Sequence, residues 1–270
     1  MVPLLMNGQR LRISVLDEHN TALPYSSVIW NKDLGLVTDS SGNVEIPDIS
    51  LIDSLIVQSL GYEQKVFYRS AIPVTGHLLV ILKPKVIELP EVILWKASEY
   101  AEFGVTVKKE GFIFFKHTTC TNFQIAVKVS GYTIPAKLDN VSIFVSGSNE
   151  SDLPFRIRVY KMKEDGLPGE DLLNENIIVT NYKKGKWNTI DLSAYSFGKL
   201  PDSGFFVSVE LFCDDLNKKN GLCIAGTDEI NSRLTYFKRG NAEWKDFSSN
   251  NKRSRPTNYL IKAKLGFPGK

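Results

Sequence analysis

Two-residue alternation of apolar and other side chains, repeated along the chain, is what most restricts how this sequence folds. Leu11, Ile13 and Val15 alternate with Arg12 and Ser14. Phe123, Ile125, Val127 and Val129 alternate with Gln124, Ala126 and Lys128. Phe155, Ile157 and Val159 alternate with Arg156, Arg158 and Tyr160, and Phe205, Val207, Val209 and Leu211 with Phe206, Ser208 and Glu210. Val141, Ile143 and Val145 continue the pattern, as do Tyr259, Ile261, Ala263 and Leu265. Successive side chains of a strand point to opposite faces, so each run predicts a strand with one buried face. A sustained 3.6-residue period is missing; the best helical candidate is the short stretch from Ala97 to Phe103.

Turn chemistry separates the runs: Asp39 to Gly42, Asp165 to Gly169, Pro201 to Gly204, and Asn220 with Gly221. Short strands with turn signals between them predict sandwiches or barrels. A chain of 270 residues holds two domains of ordinary size. The charged, less regular stretch 96–111 reads as the linker between a first domain over 8–95 and a second over 112–268. The expected fold class is therefore all-β, two tandem antiparallel β-sandwiches.

Composition narrows the function. The formal charge is only +3, from 33 basic and 30 acidic residues, so no nucleic-acid partner is expected. The basic cluster Lys252, Arg253 and Arg255 reads as a solvated loop. The longest apolar run, Leu78 to Leu82, is far short of a membrane span of about 18 residues, so no transmembrane segment is expected.

Enzyme signatures are scarce. There is no His-Glu-x-x-His, no Gly-x-Ser-x-Gly and no phosphate-binding Gly-rich loop, and no catalytic residue, metal or cofactor is expected. His19, His77 and His117 are far apart in sequence, whereas zinc needs three or four converging ligands. Asp214, Asp215, Asn217 and Asn220 crowd one loop, but Lys218 and Lys219 interrupt any calcium pattern. Glu170 and Asp171 follow a Pro-Gly turn and read as surface charges. Cys213 and Cys223 flank a polar loop; if it joins antiparallel strands they lie opposite each other as a possible disulfide, the alternative being two buried thiols. Among four tryptophans, Trp30, Trp95, Trp187 and Trp244, the last sits in the most polar surroundings, shortly after Tyr236. Trp244 and Tyr236 are the candidate ligand-binding residues, because aromatic faces stack on sugar rings.

The first block resembles the carboxypeptidase regulatory-like domain common in secreted and outer-membrane proteins of Bacteroidetes. The carriers are the strand Ile13 to Asp17, the segment Thr21 to Val28, the run Gly35 to Val44 with Thr38, Asp39 and Gly42, the strand Leu55 to Tyr62 ending in Gly61 and Tyr62, and Leu89 to Val92. The resemblance implies a small seven-stranded prealbumin-like sandwich that contributes no catalytic residue. The second block is similar to an uncharacterised C-terminal sandwich that accompanies this domain, with Phe155 to Tyr160, Gly166 to Leu173, Trp187 to Ser193 and Gly204 to Glu210 as carriers, and shares its strand rhythm with jelly rolls. Both resemblances imply export to the periplasm or cell surface, with the export signal outside this sequence. The expected function is a non-catalytic envelope accessory protein binding a protein or glycan partner. The alternative is a carbohydrate-binding module, with a glycan or peptide hydrolase behind it.

Overall fold

The computed structural model describes residues 10–31, 34–50, 52–74, 76–85, 96–107, 113–116, 122–148, 152–195, 200–212, 222–246 and 256–269. The protein is all-β. Among the described residues, seven strands build the first sandwich: β1 (Leu11–Asp17), β2 (Ser27–Trp30), β3 (Leu34–Val37), β4 (Asn43–Ile46), β5 (Ser54–Gln58), β6 (Lys65–Tyr68) and β7 (Gly76–Leu82). They form one sheet ordered β4-β1-β7 and another ordered β3-β2-β5-β6. One pairing departs from the antiparallel expectation. β7 crosses over from the other sheet and runs parallel to β1, with Leu11 opposite Gly76 and Asp17 opposite Leu82. The alternating set Leu11, Ile13 and Val15 meets Val28, Trp30, Leu55, Val57 and Val80 in the core between the sheets.

The turn from β3 to β4 follows from Asp39 and Gly42. Asp39 Oδ1 accepts the backbone amides of Ser41 and Asn43 at 2.8 and 2.9 Å. Gly42 has φ +75°, and a Cβ there would lie 2.7 Å from the Val15 carbonyl, so only glycine fits. Gly61, at φ +82°, turns the chain out of β5, and Tyr62 packs on the core.

Among the described residues, the second sandwich has two seven-stranded sheets. One contains β10 (Phe123–Val129), β12 (Phe155–Met162), β13 (Pro168–Asp171), β14 (Ile177–Val179), β16 (Phe205–Leu211), β18 (Thr235–Arg239) and β19 (Lys245–Asp246). Its path runs β13-β12-β16-β10-β18-β19, with β14 beside β12. The other contains β8 (Glu99–Gly104), β9 (Ile113–Lys116), β11 (Lys137–Val145), β15 (Lys186–Asp191), β17 (Cys223–Thr227), β20 (Asn258–Tyr259) and β21 (Ile261–Phe267). Phe123, Ile125, Ile157, Val159, Val207 and Val209 from the first sheet close on Val141, Ile143, Ile261 and Ala263 from the second.

Two further expectations need correction. From Glu99 onward the helical candidate at 97–103, inside the expected linker 96–111, is strand β8, which lies along β21 from Glu99 opposite Phe267 to Gly104 opposite Lys262. Pairing overrides local propensity at this edge. Phe103 meets Tyr132 and Phe267 edge-on, and Lys262 reaches Glu102 at 2.8 Å. The second correction concerns β10, β12 and β16, read as strands with one buried face. All seven residues of β16 are buried, and β12 is buried from Phe155 to Tyr160.

Candidate functional site

The face of β12-β16-β10-β18 turned away from the second core carries a grid fixed by strand register. Arg156 lies opposite Glu210, Glu210 opposite Gln124, and Gln124 opposite Lys238. The next row is Arg158, Ser208, Ala126 and Tyr236, and beyond it Tyr160 lies opposite Phe206.

Glu210 pairs with arginines of both rows. Glu210 Oε2 accepts from Arg156 Nη1 at 3.0 Å and from Arg158 Nε at 2.8 Å. Arg158 Nη1 reaches Asp171 Oδ2 at 2.8 Å. The Arg156 and Glu210 side chains are 0% exposed. Burial alone would raise the Glu210 carboxyl; the Arg156 and Arg158 guanidiniums overcome it and hold it at about 2. Asp171, expected as a surface charge, is instead the outer anchor of this buried chain.

The first sandwich caps it. Ser27 Oγ donates to Glu210 Oε1 at 3.2 Å, and Arg156 Nη2 donates to the Tyr25 carbonyl. The Tyr25 ring stacks on Phe212 at 5.5 Å, and the Arg156 guanidinium lies 5.0 Å from the centre of the same Phe212 ring. Gly35 packs against Asn122, where a Cβ would come within 3.3 Å of the Asn122 side chain. The face of β2 and β3 away from the first core thus sits on the face of β12 and β16 away from the second. Among the described residues, Arg156 Nε, Ser208 Oγ and both amide atoms of Asn122 are buried there without a hydrogen-bond partner.

Further along the same face the surroundings become aromatic. Tyr236 and Trp244 pack on Ala126, Tyr160 and Phe206. Trp244 meets Tyr160 edge-on at 5.5 Å, and Tyr236 meets Phe206 edge-on at 5.3 Å. The Lys238 ammonium lies 5.0 Å from the Trp244 ring centre and 5.6 Å from that of Tyr160. Burial, reinforced by Arg158, pulls Lys238 down to about 8. The structure therefore brings the two sequence candidates into one cluster. It leaves them half-buried, with Lys238 against the indole.

A cleft of about 650 Å³ opens at the seam of the two sandwiches. Arg12, Asp39, Asn43 and Glu45 line it from the first, Leu153 and Phe212 from the second, with Tyr25 between. Sequence reading missed it, because its walls lie more than a hundred residues apart; only the local signal of Asp39 and its turn was legible.

Other candidates separate. Trp30 is core, and Trp187 meets Phe144 edge-on against the second core. Cys223 is buried at the start of β17, while Cys213 and the polar loop between them lie outside the described residues, as do Trp95, His117, Cys120 and the basic cluster at 252–255. His77 Nε2 lies 2.8 Å from Ser14 Oγ, a distance at which a base activates a hydroxyl. Asn43 Nδ2 donates to the Ser41 carbonyl, which turns Asn43 Oδ1 toward Ser14 to receive its proton. His77 is then the donor in its contact with Ser14, so the pair is not a nucleophile and base. Among the described residues, no three His, Cys, Asp or Glu side chains gather to hold a metal ion, and no helix is long and apolar enough to cross a membrane.

Fold and seam define an all-β protein of two sandwiches joined face to face. No family model and no curated protein matches the chain. It is similar in structure to the clostridial cysteine protease Cwp84 after propeptide cleavage, at 13% identity and TM-score 0.47, over 88% of this chain and 56% of that one. It is also similar to the cysteine protease and lectin-like domains of Cwp84, a surface-layer-associated protein of Clostridium difficile, at 14% identity and TM-score 0.45, over 90% of this chain and 59% of that one. The chain thus spans less than two thirds of either. A DUF3823 family protein from Bacteroides ovatus aligns at 10% identity and TM-score 0.21, over 94% of this chain and 97% of that one. With TM-scores below 0.5, none of these likenesses carries a functional inference.

Proposed function

We propose that this chain is a non-catalytic accessory protein of the cell envelope that binds a protein or glycan partner. The observation that carries the reading is the buried seam, Ser27 and Tyr25 on Glu210 and Arg156, which fixes two sandwiches as one body with a cleft along the join. A scaffold of sheets held this way positions loops and cleft walls for recognition without motion of its own. Export, and membership of the first sandwich in the carboxypeptidase regulatory-like class, belong to the same proposal. They are supported by the motif run Gly35 to Val44, by the Asp39 turn it builds, and by seven strands in two sheets.

A screen of the purified chain against glycans, peptidoglycan fragments and immobilised envelope extract, read by tryptophan fluorescence and retention, tests the reading. Saturable binding without turnover of the bound species is expected. Turnover, or silence in every arm of the screen, would overturn it.

A carbohydrate-binding module is the second reading. Trp244 and Tyr236, brought together on one sheet face, favour it. Loss of a glycan-induced fluorescence change in Trp244→Ala would place the sugar there.

A further inference from the structure

We infer that the cleft at the seam is a binding site for a neutral oligosaccharide. This rests on the reading of the chain as a binding protein and names the ligand class of one site, distinct from the Trp244 cluster.

The cleft's volume of about 650 Å³ falls inside the ~300–1,000 Å³ of small-molecule sites. Its apolar wall is rigid. Tyr25 is held in the left-handed region at φ +55°, its carbonyl receives Arg156, and its ring stacks on Phe212. A non-glycine residue held at positive φ is costly, and it persists where the surroundings fix it. Aromatic walls of this kind receive the C–H face of a pyranose.

Opposite it stand polar groups with unused valences. Asp39 spends Oδ1 on two backbone amides, which leaves Oδ2. Glu45 meets Arg10 through Oε1 at 3.3 Å, which leaves Oε2. Asn43 uses one Nδ2 proton on the Ser41 carbonyl, which leaves the other. Arg12 lies across β1 and β4 from Glu45, between Glu45 and His77, and has no ion pair among the described residues. Donors and acceptors therefore stand side by side, which is what vicinal hydroxyls need, since each hydroxyl both donates and accepts.

Charge selects among polar ligands. Arg12, Asp39 and Glu45 line the cleft, and Arg10, just outside it, pairs with Glu45, which leaves one guanidinium, Arg12, and one carboxylate, Asp39, to act on a ligand. An anionic or cationic ligand would gain from one and lose to the other. A neutral polyhydroxylated ring meets no such opposition.

The test is calorimetric titration of the full chain with neutral gluco-, manno-, galacto- and xylo-oligosaccharides, with an oligogalacturonate as the charged probe. Saturable binding of a neutral oligosaccharide is expected, weakened tenfold or more by Arg12→Ala and by Glu45→Ala and unchanged by Trp244→Ala. Both cleft side chains are exposed, so these variants fold. Neutral-sugar binding that survives both cleft variants and is lost in Trp244→Ala overturns the cleft site but leaves the binding reading standing. Preference for the oligogalacturonate overturns the ligand class. No sugar binding alongside a purified envelope protein that binds overturns the inference alone. No binding in any arm overturns both.

Discussion

The Ser27 hydroxyl of the first sandwich donates to the Glu210 carboxylate of the second, 3.2 Å away and 183 positions along the chain. This bond is the polar centre of a face-to-face join between two sheets. Glu210 also accepts from two buried arginines, so it is the anion that Arg156 and Arg158 share.

Replacing Glu210 by Gln should therefore be severe. It leaves Arg156 and Arg158 facing each other with only Asp171 to offset them. Removing one member of a buried ion network costs about 3–5 kcal/mol. Equilibrium urea unfolding should show a loss of that size for Glu210→Gln. A loss under about 1 kcal/mol would mean that the network is not closed to solvent.

The same carboxylate sets an acid limit. Its folded pKa of about 2 lies below the ordinary glutamate value of 4.5. The stabilisation it contributes is complete above about 4.5 and is lost as pH falls through 4.5 toward 2. Thermal melting across that window should fall more steeply for the natural chain than for Glu210→Gln, which carries no such proton.

Lys238 also makes stability rise with pH, but here the charged form is the unfavourable one. Its folded value of about 8 lies below the ordinary 10.5, so the unfolded chain holds the proton more tightly between those values. Stability from this group rises as pH climbs from about 8 to 10.5. Lys238→Met should flatten that rise and match or exceed the natural chain at neutral pH. A variant whose melting curve still climbs through this window would assign the effect to another group.

Trp244→Ala should cost about 1–2 kcal/mol by uncovering Tyr160, less than the roughly 3–5 kcal/mol of a fully buried aromatic because the indole is only half-buried. Chemical unfolding measures this directly. No change would show that the indole is a free surface group.

Gly42→Ala places a Cβ 2.7 Å from the Val15 carbonyl at a positive φ, so a loss of about 1–3 kcal/mol is expected from the β3–β4 turn. The melting temperature of the whole chain should fall with it.

Much of this architecture was legible from residue order. The inward sets of β1, β10, β12, β16 and β21 were the apolar halves of the alternating runs, and Asp39 with Gly42 gave the turn. What escaped was the other half of the alternation. Arg156, Arg158 and Glu210 look like a solvent face, because a single strand records only which residues share a side, not what lies over that side. The cover comes from Tyr25 and Ser27, and no local pattern links them to β12 or β16. Asp171 escaped for the same reason, since its partner Arg158 lies across a strand pair. β8 was mistaken for a linker because an edge strand pairs on one side and shows a weak apolar face. Trp244 and Tyr236 were found by residue type, but their half-burial depends on Phe206 and Tyr160 beneath them.

The parallel pairing of β1 with β7 makes the first sandwich a closed loop of chain. Its opening and closing strands lie side by side, Leu11 beside Gly76 and Asp17 beside Leu82. A pull applied between these strands would shear seven residues of ladder at once rather than peel them one at a time. The first sandwich is thereby suited to bear load in series with its partner.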